Sequence, residues 1–85
     1  MNREEIFLRI KEILKEALKW RVDVSSVDEQ TNLIDKIGLS SLEGLEILVK
    51  TENEFDIEID DEDLSLELMS TLSNLIDYVE RKKQA

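Results

Sequence analysis

Asp35-Lys36-Ile37-Gly38-Leu39-Ser40-Ser41-Leu42-Glu43 runs from an irregular stretch into a segment of helical period. It carries Ser40-x-x-Glu43, the spacing of a capping box. In such a box the Ser40 oxygen accepts from a backbone N–H of the first turn, and Glu43 reaches back to the N–H of Ser40. Ser41 then takes the first helical position, facing outward beside N–H groups that have no intrahelical acceptor, at the positive end of the helix dipole. A phosphate or phosphodiester suits that position. A pair of serines that only starts a helix accounts for the same residues, so Ser41 has to be weighed against its surroundings.

Upstream, residues 21–39 have no strong period: Val22, Val24, Val27, Leu33, Ile34 and Ile37 alternate irregularly with polar residues. A stretch this long without regular structure is unusual in a compact domain. Its apolar content argues for an ordered loop pinned by Val27, Leu33, Ile34 and Ile37, with one short turn. Gly38 lets the backbone bend before Ser40. Further upstream, Ile6, Ile10, Ile13, Leu14, Ala17 and Leu18 form one apolar stripe, and Asn2 with Glu5 can open the helix, which is expected over residues 3–20. Trp20, expected to be half-exposed, and Val22 lead away from it.

Downstream, a second long helix is expected from Ser41 to about Glu54, with Leu45, Leu48 and Val49 inside and Leu42 and Ile47 towards the flanks. Gly44 costs about 1 kcal/mol relative to Ala in a helix, a sign of close approach by another backbone or by a substituent on Ser41. Phe55-Asp56-Ile57-Glu58-Ile59-Asp60 alternates like a strand but has no pairing partner, so it reads as an extended connection. Asp60 or Asp61 can cap a short third helix carrying Leu64, Leu66, Leu68 and Met69. Ser70 or Thr71 can cap a last one, with Leu72, Leu75, Ile76 and Val79 inside. The expected fold is all-α: one domain over residues 1–85, a four-helix bundle with a long first loop and a short third helix.

Composition narrows the chemistry. The 85 residues include no Cys, His or Pro, which excludes disulfides, thiolate metal sites and thiol catalysis. No apolar run is long enough to span a membrane, and the charged N-terminus lacks the apolar core of a signal peptide. A cytoplasmic protein is expected. The net charge of −10 is uneven: residues 23–63 hold fourteen Asp/Glu against two Lys, whereas residues 1–22 hold six Lys/Arg against four Glu. This surface repels nucleic acid and anionic membranes and attracts basic protein patches. Without His or Cys, a nucleophilic Ser41 needs a Lys or carboxylate base, and neither Lys36 nor Lys50 is spaced to serve, so no catalytic residue is assigned. Asp56, Glu58, Asp60 and Glu67 fall at the first, third, fifth and twelfth positions of a calcium loop. The sixth, which requires glycine, is Asp61, and no metal ligand is assigned.

A long loop leads to Leu33-x-x-x-Ile37-Gly38-Leu39-x-Ser41-Leu42, and an acidic helix then ends in Glu52-Asn53-Glu54-Phe55. Ile57-x-Ile59 among acids and Leu75-Ile76-Asp77-Tyr78-Val79 complete the pattern. The whole resembles the acyl carrier proteins, small acidic helical bundles that hold acyl groups on a serine-linked 4′-phosphopantetheine arm. The resemblance implies that Ser41 is the attachment site for covalent 4′-phosphopantetheine. It implies that Glu43, Glu46, Glu52 and Glu54 form the acidic recognition helix and that Leu42 and Leu45 meet partners. Those partners would be a phosphopantetheinyl transferase and acyl-loading and acyl-processing enzymes with basic patches, serving fatty-acid or related polyketide or specialised-lipid biosynthesis. A monomer is expected. The alternatives are a peptidyl or aminoacyl carrier, and an unmodified acidic interaction module. The chain departs from the family at Ser40, where Asp is usual, at Thr51, where an apolar residue is common, and in a third helix about two residues longer.

Overall fold

The computed structural model describes residues 1–19 and 23–84. Its elements are α1 (Arg3–Ala17), a 3-10 turn (Val24–Ser26), α2 (Leu33–Ile37), α3 (Ser41–Phe55), two further 3-10 turns (Asp61–Asp63 and Leu66–Met69) and α4 (Leu72–Gln84). The fold is all-α, with α1 packed against both α3 and α4.

Asn2 opens α1 by accepting from the N–H of Glu5 at 2.8 Å. Ile6, Ile10, Ile13, Leu14 and Ala17 all point inward, and the helix stops at Ala17 rather than at residue 20. The expectations for Trp20 and Val22 lie outside the described residues. The described part of the long first connection, residues 23–39, is ordered, as its apolar content requires. Val24, Val27 and Leu33 are buried, and the N–H groups of Leu33 and Ser73 donate to the carbonyls of Ser70 and Glu29 at 3.0 and 2.8 Å. These bonds fasten the loop to the entrance of α4. It holds two short elements rather than one, the 3-10 turn Val24–Ser26 and the helix α2, which Gly38 ends in the left-handed region at φ 75° while donating its N–H to Ile34. A side chain is disfavoured there by its Cβ.

The inward face of α3 differs from the expectation. Gly44, Ile47, Leu48, Thr51 and Phe55 are buried, whereas Leu45 and Val49 are 49% and 46% exposed. Two apolar stripes compete on this helix. The one that includes Phe55 wins because full burial of such a side chain contributes about 1.5–3 kcal/mol, even though it carries Thr51 inside. The Thr51 hydroxyl is satisfied by donating to the Ile47 carbonyl at 2.8 Å. Beyond α3, Ile59 is buried and Ile57 partly so, in an extended connection.

The short third helix takes the form of two 3-10 turns separated by Leu64 and Ser65, and neither Asp60 nor Ser65 provides a side-chain cap. Long-range contacts hold the segment instead. The Tyr78 hydroxyl donates to Asp63 at 2.9 Å and accepts from the N–H of Asp60 at 3.2 Å. Lys82 reaches Asp60 at 3.0 Å, and Asn74 donates to the Ser70 hydroxyl at 2.9 Å. Met69 is fully buried, while the side chain of Leu66 lies outside the described set. Thr71 opens α4 by accepting from the N–H of Asn74 at 3.2 Å.

Candidate functional site

The capping box forms as spaced. The Ser40 hydroxyl accepts from the N–H of Glu43, the Glu43 carboxylate accepts from the N–H of Ser40, both at 3.1 Å, and Ser40 itself is extended. Ser41 is therefore the first residue of a fifteen-residue helix, and it is exposed. Its hydroxyl has no hydrogen-bond partner among the described residues. Neither Lys36 nor Lys50 contacts it, and Lys50 instead faces Glu16 at 3.7 Å.

Two depressions flank Ser41. On one side, a cleft of about 180 Å³ is lined by Ser41, Gly44, Leu45 and Leu48 of α3 and by Leu64, Ser65 and Met69 of the 3-10 segment. Gly44 is buried at its edge, which keeps the helix surface low next to the hydroxyl. On the other side, a groove of about 710 Å³ separates α3 from the C-terminal end of α1; Leu42, Glu43, Leu45, Glu46 and Val49 line its α3 bank. Leu42, 77% exposed, has the same stripe as Leu45 and Val49. These apolar side chains stand beside two carboxylates within two turns of Ser41.

The other acidic candidates are engaged elsewhere. The Glu52 carboxylate accepts from the N–H of Ile59 at 2.7 Å, closing the turn after α3. Glu54 pairs with Arg9 of α1 at 3.0 Å. Both serve the bundle, whereas Glu43 and Glu46 line the groove between α3 and α1. Val49 and the cleft residues Leu48, Leu64, Ser65 and Met69 escape the sequence reading, although the spacing of Leu42, Leu45 and Val49 is itself a helical stripe.

The cleft's outer wall is held by polar contacts from α4. Burial pushes the Tyr78 phenol above its ordinary value, against the donating N–H of Asp60 and with the help of Asp63. Asp60 likewise raises Lys82. Among the described residues no group of three or more acidic side chains is arranged to hold a metal ion, and no helix is long and apolar enough to cross a membrane.

Residues 8–79 match the family model described as the phosphopantetheine attachment site. The acyl carrier protein of Thermotoga maritima is 41% identical over 81 residues, 95% of each chain. The chain belongs to the acyl carrier protein family. The acyl carrier protein of Desulforapulum autotrophicum is 36% identical, covering 87% of this chain and 92% of its own. That of Exiguobacterium sp. is 34% identical, covering 96% and 99%. The cofactor of this family is covalently attached 4′-phosphopantetheine, and its members are carriers that work with a phosphopantetheinyl transferase and acyl-processing enzymes. The residues present fit that group: an accessible hydroxyl, unpaired N–H groups and a dipole that favour a phosphodiester, and an adjoining cleft.

Proposed function

We propose that this protein is an acyl carrier of one domain whose 4′-phosphopantetheine is attached at Ser41. The observation that carries the reading is the exposed Ser41 hydroxyl at the start of α3, next to a largely apolar cleft. On attachment, the Ser41 oxygen would form a bond to phosphorus as the pyrophosphate bond of coenzyme A breaks, the adenosine bisphosphate half leaving and the hydroxyl proton passing to a base on the transferase. The arm supplies a thiol that holds an acyl group as a thioester. The chain's own residues do the rest. The capping box fixes the direction in which Ser41 points, and the first-turn N–H groups that have no intrahelical acceptor would favour the charge of a phosphodiester there. Leu42 and Leu45 offer apolar contact to partners, and Glu43 and Glu46 draw basic patches towards Ser41 by electrostatic steering. Glu52 and Glu54 contribute charge to the same field while holding the bundle together.

The pathway on this reading is fatty-acid or related polyketide or specialised-lipid biosynthesis, and the protein works as a cytoplasmic monomer with no chemistry of its own. Treated with a phosphopantetheinyl transferase and coenzyme A, it gains one phosphopantetheinyl mass on the peptide that contains Ser41. Ser41→Ala abolishes the gain and leaves the helical circular dichroism intact. A modified Ser41→Ala variant refutes the attachment site.

A further inference from the structure

The groove between α3 and the end of α1 carries two cations that an acidic recognition face does not explain. Residues 23–63 hold only two lysines, Lys36 and Lys50, among fourteen acids. Lys50 lines this groove, and so does Lys19, just past the end of α1. Lys50 faces Glu16 of α1 at 3.7 Å, through side chains 36% and 66% exposed, a pair too loose and too wet to occupy it. Lys19 is exposed and forms no ion pair among the described residues. Its backbone is in the left-handed region at φ 52°, where glycine or asparagine is usual after a helix because a Cβ crowds the chain. A lysine held in that conformation points to a use for the side chain rather than for the turn. Arg9 meets Glu54 and Glu16 meets Lys50, so α1 runs antiparallel to α3 and its end brings Lys19 towards Ser41. Buried Ala17 and Leu18 lie on the α1 bank, opposite the apolar stripe of α3. From Leu42 to Asn53 the α3 bank extends about 16 Å, or about three helical turns.

We infer, resting on the carrier reading above, that Lys19 and Lys50 receive a carboxylate of the visiting enzyme, whose docking element is an amphipathic helix with one basic and one acidic flank. A helix laid in a groove of this length rests its apolar stripe on Leu42, Leu45 and Val49. Its Lys or Arg side chains meet Glu43 and Glu46, and its Asp or Glu side chains meet Lys19 and Lys50. A wholly basic helix is drawn in by the net charge of −10 but ends with two lysines against its own sign. The two lysines therefore turn away partners that the acidic residues alone would accept. They also set the direction of the bound helix, because turning it end for end exchanges its flanks and brings like charges together.

The test titrates the full-length protein, after treatment with transferase and coenzyme A, against two labelled synthetic helical peptides of about four turns that share a leucine stripe. The mixed peptide has Lys on one flank and Glu on the other, and the basic peptide has Lys on both. Fluorescence anisotropy gives each Kd at about 0.15 M salt, where screening acts within about 8 Å. Lys19→Gly weakens the mixed peptide about threefold, the scale of one exposed ion pair, and tightens the basic one. Lys50→Gln, at a position the fold does not depend on, shifts both peptides the same ways, and Lys19→Arg keeps the wild-type values. Lys19→Gly also raises Tm by a few degrees, since glycine takes the left-handed turn without a Cβ. A lysine that only ends α1 gives the reverse, a lower Tm with binding unchanged. Both peptides shifting in one direction, or neither shifting, overturns the carboxylate contact, and a mixed peptide that fails to bind the wild type overturns the groove as a helix site. Sedimentation that shows a dimer undone by Lys19→Gly gives the groove to a second copy and overturns the proposal as well. A preparation whose intact mass shows no phosphopantetheinyl gain refutes the carrier reading instead, and the same titrations of that unmodified protein still decide what the groove binds.

Discussion

Arg3 is the point at which to test how the bundle is held together. Its guanidinium reaches Asp77 at 2.6 Å, Glu29 and Glu80 at 2.7 Å, and the Ser73 hydroxyl at 3.0 Å. One cation thus joins the start of α1 to the long loop and to α4. Asp77 first and Glu29 next hold it above its ordinary pKa. Arg3→Met keeps the aliphatic stem and removes the charge, leaving three carboxylates to repel one another in a chain that already carries −10. The Arg3 side chain is 34% exposed, so each of its three ion pairs counts near the surface value of about 0.2–1 kcal/mol, and the cluster together about 2 kcal/mol. For a domain of this size that lowers Tm by about 8–16 °C. Urea melts of both proteins at low salt and at 1 M NaCl measure it, because screening contracts to about 3 Å at the higher concentration and the gap between them should narrow. Arg9→Met, which removes a more ordinary pair of contacts to Glu5 and Glu54, is the control. Equal losses for the two variants, or a gap that salt does not alter, refute the argument.

Ser40→Ala should cost about 0.5–2 kcal/mol through loss of the cap, whereas Ser40→Asp should keep stability in the same urea melts. Transferase kinetics on Ser40→Asp should show faster modification by a general enzyme, and unchanged rates mean that the missing charge is functionally silent. Glu43→Lys with Glu46→Lys should slow modification mainly through the association rate and blunt its salt dependence, measured by stopped flow. Glu4→Lys with Glu5→Lys should leave both unchanged, and equal effects of the two pairs refute steering by this face. The Asp23 carboxylate is held below its ordinary 3.8 by the hydroxyl and N–H of Ser25, and that of Asp28 by the N–H of Gln30 and the Thr31 hydroxyl. Depressed values stabilise the fold above pH 3.8 and lose that contribution as pH falls through the folded values, so carboxyl NMR titrations should give both midpoints below 3.8, and midpoints at or above it contradict these hydrogen bonds.

The start of α3 was legible because both capping partners lie three residues apart and need nothing distant. The stripe of α1 was legible for the same local reason. The inward face of α3 was not, since Leu42, Leu45 and Val49 form a stripe as convincing as Ile47, Leu48 and Phe55, and only tertiary packing decides between them. Thr51 compounds this, because a polar residue reads as an outward one until its bond to Ile47 is seen. The 3-10 form of the segment after Asp60 depends on Tyr78, Asn74 and Lys82, all contributed from α4. Glu52 and Glu54 read as free acids until Ile59 and Arg9 are brought beside them. The exposed hydroxyl of Ser41 could be anticipated from sequence, whereas the cleft next to it is assembled from residues more than twenty positions apart.

The surplus apolar stripe of α3 gives the chain a particular kind of evolutionary latitude. Leu42 and Val49 are 77% and 46% exposed, so on the carrier reading proposed above replacing them would alter what docks at the groove without weakening the core, and recognition could drift while the fold stays put. Leu45 has no such freedom. It lines both the groove and the cleft, so on the same reading any change there alters two surfaces at once. A lineage changing clients would therefore be expected to vary first at Leu42 and Val49, with Leu45 as the slowest of the three to move.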